Sequence, residues 1–124
     1  MIPTLRSIGA VVAGYAVFAV SGALLFMLTG WDPHGPAPLG VIALSTLYGM
    51  AFATLAGYVA ASLAGRAPLG HAIAVAGLIG LGALVSMVMS AAGSALWSQL
   101  TALVLMAPSA AFGGLIRRRR LTPA

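Results

Sequence analysis

Apolar residues run almost unbroken along this chain and give way only where glycine, proline or arginine gathers. Residues 7–28 carry no charged side chain, and a run of about 20 apolar residues is what a hydrocarbon core about 30 Å thick requires. This pattern predicts a first transmembrane helix behind a short polar lead at residues 1–6. A cleaved signal peptide is the competing reading, but its apolar region is shorter, roughly 7–15 residues, and follows a more basic lead. Residues 29–38 hold Gly30, Asp32, Pro33, Gly35, Pro36 and Pro38, a density of turn formers that predicts a loop. A second helix is expected over 39–63, a tight connection with Gly65, Arg66 and Pro68 over 64–70, and a third helix over 71–92. Gly93 and Ser94 mark a turn, a fourth helix follows over 95–116, and residues 117–124 form a basic tail. The expected fold is an all-α membrane protein, a single integral membrane domain with four transmembrane helices as two hairpins and no soluble domain.

Small residues give the second helix a particular face. Gly49, Ala53, Gly57, Ala61 and Gly65 recur at four-residue spacing, which places them in one nearly side-chain-free stripe along a helix. In lipid there is little hydrophobic drive between helices, and close backbone approach over small residues supplies van der Waals contact in its place. The second helix is therefore the expected hub of the bundle. Gly82, Ser86 and Ser90 form a second narrow stripe on the third helix, read as hydrogen-bonding glue between helices rather than as a pore lining. Pro108 falls within the fourth helix, where the missing N–H frees the carbonyl of Val104 and predicts a kink, with Ser109 or Thr101 able to answer the freed groups. A faint parallel repeat pairs residues 10–14 with 73–77, and Ala56-Gly57-Tyr58-Val59 with Phe112-Gly113-Gly114-Leu115.

Composition narrows the chemistry. Of 124 residues 61% are hydrophobic and 6% charged, with a mean hydropathy of +1.09, so a soluble domain would have nothing to cover its surface. Cys, Lys, Glu and Asn are absent and Asp32 is the only acidic residue. Disulfides, thiolate metal sites and carboxylate pairs are excluded with them. The net charge of +5 is not a nucleic-acid signal, because Arg6 and Arg66 stand alone and Arg117, Arg118, Arg119 and Arg120 form one run at the tail. The arginines occupy the lead, the second connection and the tail, which by the positive-inside rule places both termini in the cytoplasm. Trp31 and Trp97 then fall at the outer interface. Beside an anionic inner leaflet the arginine run contributes about 1 kcal/mol per residue to anchoring.

The candidates for chemistry are few. His71 is read as an interfacial helix-start residue, and Asp32 with His34 as a solvated turn; the two histidines lie a bilayer apart, too far to share an ion. Tyr15, Tyr48 and Tyr58 are expected to find hydrogen-bond partners within the bundle. No catalytic residue, metal ligand or cofactor site is assigned. Intramembrane aspartyl proteolysis needs two aspartates, and a rhomboid-type protease needs a serine and histidine brought together. The small multidrug resistance transporters and the small fluoride channels are similar in size and helix count, yet they rely on a membrane-embedded glutamate and on an asparagine, neither of which this chain contains.

Tyr48, then Ala56-Gly57-Tyr58 with Ala61, then Pro68 before His71-Ala72, and Pro108 with Gly113-Gly114 before the basic end together resemble a group of short, four-helix bacterial inner-membrane proteins of unassigned function. The resemblance implies a bacterial inner membrane and the same helix count, and it supplies no reaction, ligand or site. The functional expectation is a non-catalytic accessory or self-associating bundle, in a homo-oligomer or a larger membrane complex, with anionic lipid at its cytoplasmic face. The alternative is a small-solute or ion channel or transporter formed by an oligomer.

Overall fold

Proline stands in the first turn of two helices in this protein, and those two helices begin earlier than expected for that reason. The structure, a computed structural model, describes residues 2–90 and 93–121. Helix α1 is Ile2–Thr29, α2 is Leu39–Ala64 and α3 is Pro68–Met89. Helix α4 covers Trp97–Leu121 in three parts: an α-helical turn at Trp97–Thr101, a π turn at Ala102–Met106 and an α-helix at Ala107–Leu121. All four are long and apolar enough to cross a membrane, and the described residues contain no strand.

Pro3 sits in the first turn of α1 and Pro68 opens α3, positions where a missing N–H costs nothing because that donor has no intrahelical partner. The short polar lead, expected to precede the first helix, is thus helical from Ile2, and α3 begins three residues before His71. His71 completes the first turn and is buried, its Nδ1 lying 2.9 Å from the Ala67 carbonyl oxygen. It stays in the first turn of α3, as expected, but is covered by the chain rather than exposed. Residues 91 and 92, where α3 was expected to end, lie outside the described residues, as do 122–124 of the tail. Helix α4 starts at Trp97 rather than at Ala95 because the Ala95 N–H is drawn into the first loop, donating to the His34 carbonyl at 2.9 Å. It continues through the four arginines, since no glycine or proline stands between Gly114 and Pro123 and basic side chains favour the negative end of the helix dipole.

Hydrogen bonds at the helix ends set the topology. Arg6 Nε donates to the Leu63 carbonyl at 2.8 Å and Arg66 donates to Ser7 Oγ at 3.1 Å, so the start of α1 meets the end of α2. Gly65 closes α2 in the left-handed conformation, with φ of 73°, and Arg6 satisfies one of the carbonyls that the helix end leaves orphaned. The Arg117 guanidinium lies 5.8 Å from the centre of the Tyr58 ring. Arginines from the lead, the second connection and the end of α4 therefore share one end of the bundle, while the loop containing Asp32 and His34 caps the other.

The interior is built from small side chains. Ala53, Ala56, Ala60, Val75, Ile79, Met106, Ala107 and Ala110 form the core, and Val75 is its largest fully buried member. Leucines, valines and methionines such as Leu28, Leu39, Val88 and Met89 point outward, the distribution expected when the surrounding solvent is hydrocarbon. Helices α2 and α4 run parallel and cross at a reciprocal contact. A Cβ at Gly57 would strike the carbonyl of Ala110, and one at Gly113 would strike that of Thr54. Each glycine faces the residue three positions before the other, so the repeat between the second helices of the two hairpins has a packing counterpart. The first helices lack one: Gly14 packs tightly on Ala56, Ala60 and Val75, whereas the aligned Gly77 is exposed with nothing near it.

The proline in α4 is accommodated by the π turn before it. A π turn widens the hydrogen-bond spacing, with the Ala107 N–H reaching the Ala102 carbonyl, which relieves the collision between a proline ring and the carbonyl four residues earlier. Ser109 Oγ donates to the Leu105 carbonyl at 2.7 Å, while Thr101 donates to Ser98.

Replacing Gly57 or Gly113 by alanine is expected to destabilise the protein by about 1–3 kcal/mol, the range for overpacking a fitted interior. Gly9→Ala, where a Cβ meets open space, should leave stability unchanged or slightly higher. Unfolding by sodium dodecyl sulfate titration compares the three, and equal midpoints would remove the α2–α4 crossing from its central place.

Candidate functional site

The loop between α1 and α2 is fastened to the start of α4. Trp97 Nε1 donates to the Gly35 carbonyl at 2.8 Å and Ser98 Oγ to the Pro33 carbonyl at 2.6 Å. The Trp97 ring also meets Phe26 edge-on at 6.3 Å. Within the loop, Asp32 Oδ1 accepts the His34 N–H at 2.9 Å, the local turn that an aspartate two residues earlier favours. Asp32 thus shapes the loop and remains exposed.

Gln99, 4% exposed, carries the next layer. Its Nε2 lies 3.0 Å from His34 Nδ1, 3.1 Å from Ser86 Oγ and 3.2 Å from Ser90 Oγ. One amide thereby ties the loop to α3 and α4. Ser90 Oγ also donates to the Ser86 carbonyl at 2.6 Å, so the serine stripe is joined to α4 through a residue that the spacing argument did not single out.

Beneath this polar knot lies a cavity of about 310 Å³, within the roughly 300–1,000 Å³ that holds small ligands. Tyr15, Phe18, Phe26, Tyr48 and Trp97 supply aromatic walls, Gly22 and Gly82 leave room, and Ile79 with Met106 form the floor. No Asp, Glu, Lys or Arg lines it. Two hydroxyls in its lining lack partners. Ser45 is 2% exposed and its Oγ, closed off from the cavity itself, has no hydrogen bond, although a buried hydroxyl left unpaired costs about 1–3 kcal/mol. Tyr15 makes a ring contact with Phe18 but no hydrogen bond to the described residues, and its hydroxyl stands 3.3 Å from where a Cβ on Gly82 would lie. Tyr48, by contrast, donates to the Ser21 carbonyl at 2.8 Å. On the outer side of the knot a shallower recess is lined by His34, Ser86, Met89, Ser90 and Ser94. His34 and Ser86 border both spaces.

The expected packing residues divide. Gly49, Ala53, Gly57 and Ala61 are buried within the chain, Gly49 directly against the Met106 side chain. Gly65 is an exposed helix cap rather than a packing residue, and Gly82 faces the cavity. Pro108 is exposed. Arg117 is half-buried on Tyr58, and Arg118, Arg119 and Arg120 are exposed at the end of α4. His34 and His71 occupy opposite ends of the bundle, and the described residues gather no three metal-ligating side chains. Sequence reasoning passed over Ser45 and Gln99. Ser45 carries no signal in a helix with several small polar residues, but Gln99 is the only side-chain amide in the chain, and a lone amide among apolar residues was a legible mark.

Gln99→Leu is expected to release the loop, because three polar partners lose one donor at once. Amide exchange at Gly35 and Ala95 should quicken, corresponding to about 1–3 kcal/mol of local stability, while exchange around Gly57 stays unchanged. Comparison with known protein families, with curated proteins and with solved structures finds no match to this chain.

Proposed function

We propose that this is a non-catalytic, four-span protein of the bacterial inner membrane that binds a small solute inside a single chain. The observation that carries the reading is the cavity under the loop, walled by aromatic side chains and lined by no Asp, Glu, Lys or Arg. The accessory reading relied on a small-residue stripe open to a foreign helix, and Gly49, Ala53, Gly57 and Ala61 are already covered by the chain itself. Solute binding needs no second copy.

The orientation follows from the same end-to-end asymmetry. With the arginine end in the cytoplasm, as the positive-inside rule prefers, the loop and its cavity open toward the outer face, and the arginine run rests on anionic lipid. Below the floor, Ala56, Ala60 and Val75 are fully buried, so the cavity is a binding chamber in this conformation and not an open pore. A catalytic role is disfavoured by the pairing of the groups: His34 faces an amide and His71 a backbone carbonyl, and neither addresses a serine nucleophile.

Two measurements test this reading. A green fluorescent protein fused to the C-terminus should be fluorescent and an alkaline phosphatase fusion inactive; the opposite pattern would reverse the orientation. Gly82→Leu should fill the cavity, since its Cβ points toward the movable Tyr15 hydroxyl, and abolish saturable quenching of Trp97 by small aromatic probes in nanodiscs. Unchanged binding in that variant would remove the cavity from the function.

A further inference from the structure

We propose that the groove between α1 and α3 at the arginine end of the bundle binds one anionic phospholipid, with its phosphate held by Arg66 and one acyl chain laid along the groove. The site is separate from the cavity under the loop and goes beyond the solute-binding reading.

The body of the groove presents hydrocarbon. It encloses about 420 Å³, with Ser7, Ile8, Val11 and Val12 on the α1 side and Gly70 and Ala74 on the α3 side. Small residues keep the α3 wall low: Gly70 and Ala74 are exposed, and a Cβ on Gly70 would meet nothing nearer than the Ala67 Cβ at 3.8 Å. Ile8 and Val12 are 57% and 59% exposed along the other wall. His71 borders the groove as well, with its Nδ1 already engaged by the Ala67 carbonyl at 2.9 Å.

The mouth has the opposite character. Arg66 is exposed and donates to Ser7 Oγ at 3.1 Å, and both Ser7 and Ala67, the residue after Arg66, belong to the groove wall. The guanidinium is thereby fixed at the mouth, and its remaining N–H groups make no hydrogen bond to the described residues. Arg6 stands beside it, its guanidinium 2.7 Å from where a Cβ on Gly65 would lie. The only acidic side chain, Asp32, is in the loop at the other end of the bundle. Two cations without a counter-charge favour an anion, and a guanidinium matches phosphate oxygens with paired hydrogen bonds.

Depth decides which anion. At 1.5 Å per residue, Val12 and Ala74 lie roughly 8–10 Å along their helices from Ser7 and Ala67, so the groove runs from the level of the arginines into the hydrocarbon. Charge at the mouth with an apolar channel beneath it repeats the order of a phospholipid, phosphate first and acyl chain below. A free phosphate would use the mouth and leave the channel empty. A second copy packed alongside in the same orientation would bring another arginine end and no acid to the mouth, which like-charge repulsion opposes. The arginine run attracts anionic lipid to α4 without a channel for its chain, whereas this groove holds both parts of one molecule.

The test is native mass spectrometry of the full chain in detergent, counting bound lipid during titration with phosphatidylglycerol or with phosphatidylcholine of the same acyl chains. One phosphatidylglycerol per chain is expected, bound roughly tenfold tighter than phosphatidylcholine and not displaced by millimolar inorganic phosphate. Arg66→Gln, at an exposed position, should lower phosphatidylglycerol to the level of phosphatidylcholine. Gly70→Leu, which fills the groove, should weaken both lipids, and Ala74→Leu serves the same purpose if that variant does not fold. Gly40→Leu, where a Cβ meets open space at the far end of α2, should change neither. Equal affinity for the two lipids, or phosphatidylglycerol binding that survives Arg66→Gln, would overturn recognition by the arginine. Lipid binding insensitive to filling the groove would overturn the channel. Displacement by inorganic phosphate would assign the mouth to a free anion, and a dimer mass in place of lipid, lost on Gly70→Leu, would assign the groove to a second copy; either result overturns the lipid site and leaves the cavity reading untouched.

Discussion

Everything in this bundle depends on two helices touching backbone to backbone. Lipid gives helices no hydrophobic reason to associate, so contact must come from dispersion between closely fitted surfaces and from hydrogen bonds. At the α2–α4 crossing there is no side chain between Gly57 and the Ala110 carbonyl, or between Gly113 and that of Thr54. Alanines continue the fit on either side, and the core needs nothing larger than Val75 in a fully buried position. Helix α1 depends least on this seam, with only 11% of its span buried against 33% for α4, and is fixed to α2 by Gly14 and by the Arg6 bond to the Leu63 carbonyl.

The cavity is the complement of that crossing. Where alanine and glycine meet, the helices close; where Tyr15, Phe18, Tyr48 and Met106 enter the bundle, larger side chains with empty positions at Gly22 and Gly82 leave a chamber between them. The π turn ends at Met106, which covers Gly49 and forms part of the floor. Pro108 thus bears on the site through the helix geometry immediately above it. The loop supplies the roof, and its attachment by Trp97, Ser98 and Gln99 accounts for why polar residues are concentrated at the start of α4.

The segregation of charge has a separate physical origin from the packing. Arginine beside an anionic leaflet gains electrostatic energy and carries a large penalty for crossing the bilayer, so its positions constrain orientation without shaping the interior. Arg6, Arg66 and Arg117 do both: they contact Leu63, Ser7 and Tyr58 while remaining at one end of the bundle. Short connections leave the chain few alternatives, since helices joined by tight turns return alongside their predecessors.

Helix number, order and apolar character were determined by the sequence, because a run of about 20 apolar residues satisfies its own backbone only as a helix. Local chemistry also carried the stripe on α2. Four-residue spacing placed Gly49, Ala53, Gly57 and Ala61 on one face, and that face is buried. Spacing alone assigned Gly65 to the same stripe, where a left-handed cap exposes it instead, and it placed Pro68 in a turn when the proline begins α3. Tertiary structure decided what the stripe meets, since a smooth helix face fits a partner within the chain or outside it equally well. It also decided which hydroxyls are used. Ser21, Thr54, Ser62 and Ser109 bond to carbonyls of their own helices, an option available to any helical serine or threonine, and only the arrangement of four helices around a cavity singled out Ser45 as the one in its wall buried without a partner.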